Sequence, residues 1–276
     1  PCAANGRHSV VKALQRELLP YPGTWMALRP GAIVEKTFFL EACAPAPAGS
    51  GFRAPLRTAM RLHSPLSTEG LPTLDRTVRD KYRFACSRFR DRPTDPGFEM
   101  FPDDVPGTHY VMGWCGQAEA MGGAFVLLAP RLRDSKAAGM AVRAMNHLAT
   151  APFNEHGFLL KYTAERQQWS DQDPVSQGQA MENFARAILA ARKAGGIATK
   201  PWEDFLLKAS TIHAARILRD DWRPVSTAEA FFVSPLCNAY ALFGNADFKR
   251  AAVKAAEHYA QRHLDMTEPY WGGTLD

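Results

Sequence analysis

Helical periodicity repeats through most of the chain after residue 73, and this pattern limits the fold more than any other feature. Residues 74–89 place Val78, Tyr82, Ala85 and Phe89 on one face of a 3.6-residue repeat, which predicts an amphipathic helix. The same reasoning predicts further helices at residues 116–128, 135–150, 174–194, 201–219, 227–243 and 247–264. Such a succession of helices predicts a mainly α fold.

The connections between these helices alternate between short and long. Residues 194–201 and 244–247 are brief joins, whereas residues 90–115 and 151–173 are long and rich in Trp, Tyr, His, Asp and Glu. Binding groups are placed most easily in long loops, which leave a packed core undisturbed. We therefore expect a toroid or solenoid of α/α hairpins that carries its function on the long-loop face.

The first part of the chain has a different pattern. Residues 33–42 alternate and are rich in β-branched and aromatic side chains, which predicts a strand, and residues 23–32 predict a weaker strand with a Pro-Gly turn. A small-residue loop at 44–51 precedes a short helix within 52–65, closed by Pro65. We therefore predict a small β-rich segment with a short helix at residues 1–66, and the helical domain at 67–276.

Composition excludes several classes of protein. The chain has 276 residues, of which 46% are hydrophobic, so it can bury a sizeable core. Its net charge of +5 is spread along the sequence without a basic and aromatic run, so we expect no nucleic-acid partner. No apolar run or signal peptide is apparent, so we expect no membrane span and a cytoplasmic or periplasmic location.

Cofactor and metal motifs are not apparent in the sequence. The 5 cysteines are scattered and never spaced as C-x-x-C, which argues against a zinc site or a disulfide framework. The G-x-G-x-x-G, H-E-x-x-H and G-x-S-x-G patterns do not occur either. We therefore expect neither a metal nor a cofactor.

A polar cluster precedes the predicted helix at 174–194. Asp173 occupies the N-cap position and Pro174 the first helical position, which is a strong signal for a helix start. Capping alone explains Asp173, but it does not require the other polar and aromatic groups nearby. The same loop and first turns contain Arg166, Trp169, Asp171, Gln177 and Gln179.

Two further clusters have the same composition. The one at residues 107–125 contains His109, Tyr110, Trp114, Gln117 and Glu119, and the one at 267–276 contains Glu268, Tyr270, Trp271 and Asp276. An aromatic face stacks on the apolar face of a pyranose, while amides and acids bond its hydroxyl groups. These clusters therefore predict a sugar-binding surface.

Several stretches resemble the six-hairpin glycosidase superfamily, with glucuronidase-like members as the nearest likeness. They are "LDRTVRDKYRFACSRFR", "HYVMGWCGQAE", "QDPVSQGQAMENFARAI" and "EPYWGGTLD". The resemblance implies an (α/α)6 toroid, often preceded by a β-sandwich, with a cleft lined by loops and acidic residues that carry the chemistry. A full toroid has more helices than are predicted here, so we expect an incomplete toroid or a truncated chain.

Glycoside hydrolysis needs two carboxyl groups, about 5 Å apart for retention and about 6.5 to 9.5 Å apart for inversion. Glu119 and Asp173, each at the start of a predicted helix, are the candidate catalytic pair, and Asp171 is the reserve, followed by Glu165 and Glu268. The general acid needs an apolar pocket, which Trp114 or Trp169 would supply. The sequence does not decide which residue is the acid.

Substrate binding is predicted for the remaining polar and aromatic members of the clusters. Arg166 and His109 would bind a uronic carboxylate through charge-assisted hydrogen bonds. The other predicted substrate-binding residues are Tyr110, Trp114, Gln117, Trp169, Asp171, Gln177, Tyr270 and Trp271.

Two other functions remain open. A polysaccharide lyase or sugar epimerase on the same fold would use Tyr110, with His109 and Tyr270, to remove a proton from a sugar carbon. A non-catalytic sugar-binding protein would keep the shape without the acid. An oligosaccharide or polysaccharide is the expected partner in each case, and the sequence leaves the oligomeric state open.

Overall fold

The computed structural model of the protein describes residues 29–33, 35–42, 44, 50–63, 67–100, 107–113, 118–224 and 227–264. The chain divides into two units between Thr73 and Leu74. The sequence predicts this boundary at residue 67, a few residues earlier. Each unit is described by itself below.

The described part of the first unit contains one helix, α1 at Arg53–Leu62, as predicted. The strand predicted at 33–42 is wrong for its described residues, which have no regular structure. Phe38 and Leu40 in this segment are 84% and 101% exposed. A strand needs a partner for its hydrogen-bond ladder, and no partner strand is present among residues 29–63 as far as they are described. The weaker strand at 23–32 lies largely outside the described residues.

The second unit is mainly α-helical, and the predicted helices are confirmed to within a few residues. After α2 at Leu74–Ser87, the helices are α3 at Ala118–Leu132, α4 at Ser135–Leu148, α5 at Pro174–Ala194, α6 at Lys200–Leu218, α7 at Val233–Phe243 and α8 at Ala246–Leu264. The helix predicted at 227–243 is divided, because Thr227–Phe232 forms a 3-10 helix that leads into α7.

Helices α3 to α8 form three consecutive hairpins. The first helices of the hairpins pack in order, α3 on α5 and α5 on α7, and the second helices pack in the same order, α4 on α6 and α6 on α8. The prediction of a mainly α fold built from helical hairpins is therefore confirmed. Closure of the hairpins into a toroid remains a prediction.

Small residues allow the first helices to approach one another closely. A Cβ on Gly123 would lie 3.3 Å from Ala187 of α5, and a Cβ on Gly178 would lie 2.6 Å from the backbone oxygen of Phe231. Side chains as large as alanine would therefore push against a neighbouring helix at these points. The glycine and alanine residues of α3 and α5 set the spacing between successive hairpins.

The long connections contain short strands that the sequence did not predict. They are β1 at Phe89–Arg90, β2 at Gly97–Phe98, β3 at His109–Val111, β4 at Phe153–Asn154, β5 at Gly157–Phe158, β6 at Lys161–Thr163 and β7 at Gln168–Ser170. All pairs are antiparallel, and β3, β6 and β7 form a three-stranded sheet in the order β3-β6-β7. The sheet ends next to the start of α5, so the described part of this long connection has regular structure up to the helix start.

Candidate functional site

Glu119 lies in the first turn of α3 and joins three parts of the chain. Its side chain is fully buried. The carboxyl oxygen Oε1 accepts hydrogen bonds from the backbone N–H of Gly113 (3.0 Å) and from Nδ2 of Asn183 in α5 (2.9 Å). Oε2 has no hydrogen-bond partner among the described residues. One carboxyl oxygen is thus saturated and the other is left to carry a proton.

The environment of Glu119 favours that protonated form. Burial raises the pKa of Glu119 to about 7, although the hydrogen bonds from Asn183 and the backbone act in the opposite direction. A buried carboxyl group without a cationic partner keeps its proton because water no longer solvates the charge. Glu119 is therefore a carboxylic acid that can give up its proton close to neutral pH.

Asp173 caps α5 as predicted. Its Oδ1 accepts a hydrogen bond of 2.8 Å from the backbone N–H of Ser176, and Pro174 occupies the first turn. A Cβ on Gly113 would lie 2.3 Å from the backbone oxygen of Ser176, so Gly113 lies directly against the first turn of α5. The two predicted catalytic carboxyl groups therefore belong to neighbouring helix starts.

A hollow of about 460 Å³ lies beside Glu119, between α3, α5, the 3-10 helix and α7. We call it the helix-start hollow. Asn183, which donates to Glu119, lines it, and so does Ala120, the next residue in the chain. The other polar and aromatic side chains of the lining are Gln179, Glu182, Arg186, Phe231 and Ser234. Glu119 itself lies behind this lining and does not reach solvent.

Glu182 is an acidic residue on the wall of this hollow. Its Oε1 accepts from Nε of Arg186 (2.8 Å), and its Oε2 accepts from Ser234 Oγ (2.9 Å) and Asn238 Nδ2 (2.8 Å). Glu182, Asn183 and Arg186 are not among the site residues predicted from the sequence. The spacing of Gln179, Glu182, Asn183 and Arg186 on one helical face was the signal that could have found them.

A second hollow, of about 580 Å³, lies on the sheet formed by β3, β6 and β7. We call it the sheet hollow. It brings together four of the residues predicted from the sequence: His109, Arg166, Asp171 and the further candidate acid Glu165. Lys161 adds a positive charge. His109 and Arg166, the two predicted carboxylate-binding residues, therefore lie at one hollow, whose lining does not include Glu119 or Asp173.

Local geometry fixes the shape of the sheet hollow. Nδ1 of His109 lies 3.1 Å from Thr163 Oγ1, across the pairing of β3 with β6. The Glu165 carboxylate accepts the backbone N–H of Thr108 with both oxygens (2.9 and 3.0 Å), and this bond is the main reason that the pKa of Glu165 is lowered. Asp171 has a φ of 62°, a left-handed conformation that aspartate tolerates better than most residues.

Two of the predicted substrate-binding residues, Tyr110 and Gln177, are buried in the protein interior, and a third, Trp169, is half-buried. Tyr110 is fully buried, and its hydroxyl donates to the backbone oxygen of Asp95 (2.9 Å), so it has no surface for a substrate to contact. Trp169 is half-buried, with its ring 5.1 Å from that of Tyr162. Gln177 is buried against Gly157, and a Cβ added to Gly157 would lie 2.1 Å from Gln177 Oε1.

Four of the predicted site residues cannot be placed. Trp114, Gln117, Tyr270 and Trp271 lie outside the described residues, as does the reserve acid Glu268. The apolar pocket that Trp114 was expected to supply for the general acid therefore stays a prediction.

Comparison with known proteins does not assign the chain to a family. No family model matches the sequence, and no curated protein matches it. The resemblance to six-hairpin glycosidases therefore remains a prediction from the quoted motifs. Two properties follow from the described residues alone: none of their helices is long and apolar enough to cross a membrane, and they contain no metal-binding group of His, Cys, Asp and Glu.

Proposed function

We propose that the protein is a glycoside hydrolase that cleaves an oligosaccharide, with Glu119 as the general acid. The observation that carries the proposal is the state of this carboxyl group. Burial raises the pKa of Glu119 to about 7, its Oε1 accepts two hydrogen bonds, and its Oε2 has no partner among the described residues. A general acid for glycoside cleavage needs a proton that is held at neutral pH and is free to be donated.

The position of Glu119 sets a condition on this role. The side chain is fully buried, and Asn183 and Ala120 separate it from the helix-start hollow. A fully buried carboxyl group cannot reach a substrate in this conformation. For Glu119 to act as the general acid, Asn183 and Ala120 must therefore move apart when substrate binds. Catalytic contacts often form only in the complex with substrate.

The remaining parts of the mechanism are assigned as follows. Asp173 is the candidate second carboxylate, because its Oδ1 is used by the cap while its Oδ2 has no hydrogen bond to a described residue. Arg166 and Lys161 at the sheet hollow favour a substrate that contains uronic acid, since both side chains form charge-assisted bonds to carboxylates.

Replacing Glu119 with glutamine tests the proposal. Glutamine keeps the acceptor for Gly113 and Asn183 but has no acidic proton, so turnover is expected to fall about 100-fold or more. Release of reducing sugar from neutral and uronic-acid-containing oligosaccharides is the measurement, with Glu257→Gln on the exposed surface of α8 as the matched control. Unchanged turnover in Glu119→Gln, or a product that absorbs in the ultraviolet as lyase products do, would contradict it.

Replacing Asp173 with asparagine separates catalysis from capping. Asparagine caps a helix about as well as aspartate, so the stability of Asp173→Asn should stay within about 0.5 kcal/mol of the wild type. Turnover should nevertheless fall by about 100-fold if the carboxylate takes part in the reaction. Urea denaturation and the same sugar-release assay measure both effects, and full activity in Asp173→Asn would leave the residue as a cap only.

A further inference from the structure

We infer that the helix-start hollow binds a single pyranose ring, with Phe231 as the stacking surface and Glu182 as a hydroxyl acceptor. The inference deepens the proposed function, because it names the side chains that hold the sugar beside Glu119. It does not depend on Asp173 or on the sheet hollow.

Phe231 supplies the apolar surface of the site. It is 39% exposed and lines the hollow from the 3-10 helix. A Cβ on Gly178 would lie 2.6 Å from the backbone oxygen of Phe231, so the 3-10 helix packs directly against α5. This contact holds the backbone that carries the Phe231 ring. An aromatic face in this setting suits the C–H face of a pyranose.

Glu182 supplies a polar anchor with spare capacity. Two carboxylate oxygens can accept about four hydrogen bonds. Oε2 accepts two, from Ser234 and Asn238, and Oε1 accepts one, from Arg186, so Oε1 keeps one acceptor position. Because its donors also hold the carboxylate in place, a sugar hydroxyl would meet an oriented acceptor at little entropic cost.

The rest of the lining matches a small polyhydroxylated ligand. Gln179 and Asn183 place two amides on the same face of α5, on either side of Glu182 in sequence. Amides both donate and accept, as hydroxyl groups do. The volume of about 460 Å³ is in the usual range for small-molecule sites, and the mixture of an aromatic ring with amides and a carboxylate favours a sugar over a purely apolar ligand.

Binding of monosaccharides tests the inference without relying on turnover. Saturation-transfer NMR and titration with D-glucose, D-galactose, D-glucuronate and D-galacturonate should detect at least one ligand. Phe231→Ala and Glu182→Gln should each weaken its binding about tenfold, as expected for the loss of stacking or of a hydrogen bond to a charged acceptor. Phe84→Ala and Glu257→Gln, at exposed positions outside the hollow, should bind as the wild type does. Circular dichroism and urea denaturation confirm that each variant is folded.

The outcomes separate this inference from the proposed function. If Arg166→Ala weakens binding while Phe231→Ala and Glu182→Gln do not, the sugar occupies the sheet hollow and the inference is overturned. Absence of binding by the wild type also overturns it. In either case the hydrolase proposal is judged by the sugar release of wild type and Glu119→Gln, which requires no assumption about the helix-start hollow.

Discussion

Replacing Gly113 with alanine is expected to lower the free energy of unfolding by about 3 kcal/mol or more. Gly113 has a φ of 80°, which costs an alanine about 1 to 2 kcal/mol. The new Cβ would also lie 2.3 Å from the backbone oxygen and 2.4 Å from the Cα of Ser176, and these are backbone atoms that cannot rotate away. The first turn of α5 would have to move. Urea denaturation measures the loss.

Gly244→Ala is the matched control for this prediction. Gly244 has a φ of 70° at the end of α7, and nothing lies within 4 Å of its added Cβ. It therefore isolates the backbone strain from the steric conflict, and its cost should be about 1 kcal/mol. Equal losses in the two variants would show that the added Cβ of Gly113→Ala meets no steric conflict with Ser176, which would contradict the prediction.

Gly113→Ala should also affect Glu119. The backbone N–H of Gly113 donates one of the two hydrogen bonds to Glu119 Oε1, so a shift of this segment removes a partner from a buried carboxyl group. Among the described contacts, Gly113 therefore links the start of α3, the start of α5 and the candidate acid.

The helices could be predicted from the sequence because their signals are local. The Asp173 and Pro174 start of α5 and the Gly195 end are both fixed by capping chemistry within a few residues, and the prediction of 174–194 matches the structure. The start of α7 was less predictable. The segment Thr227–Phe232 has helical periodicity but forms a 3-10 helix, packed on α5 at Gly178.

The short strands could not be predicted because their signals are not local. The pairing of β3 with β6 joins His109 to Thr163, more than fifty residues away, and strands of two or three residues are too short to show alternation. The opposite error occurred at residues 33–42, where alternation without a described partner strand did not produce a strand.

The candidate site could be predicted in part. The structure brings His109, Arg166 and Asp171, which come from two separate predicted clusters, to one hollow. Burial could not be predicted, since Tyr110 and Glu119 have the same kind of neighbours in sequence as exposed binding residues. Glu182 was missed because it lies two turns into α5, and its partners Ser234 and Asn238 come from α7.

Replacing Glu119 with glutamine is expected to make stability depend less on pH. The ordinary pKa of a glutamate is 4.5, and burial raises that of Glu119 to about 7 in the folded protein. Between these values the folded state holds a proton that the unfolded state has lost, so the wild type loses stability as pH rises. Relative to Glu119→Gln, the wild type should lose about 2 to 3 kcal/mol between about pH 5 and pH 8.

Urea denaturation of both proteins across this range is the measurement, and Glu203→Gln is the control. Hydrogen bonding from Thr199 Oγ1 and pairing with Arg192 lower the pKa of Glu203, although desolvation acts in the opposite direction. The stabilisation from Glu203 is present above its unfolded pKa and is lost only as pH falls through its lower folded pKa. The free energies of unfolding of wild type and Glu203→Gln should therefore differ by a constant amount between about pH 5 and pH 8. Parallel pH profiles for the wild type and Glu119→Gln would show that Glu119 is ionised in the folded protein. Glu119 would then lack the proton that a general acid must donate.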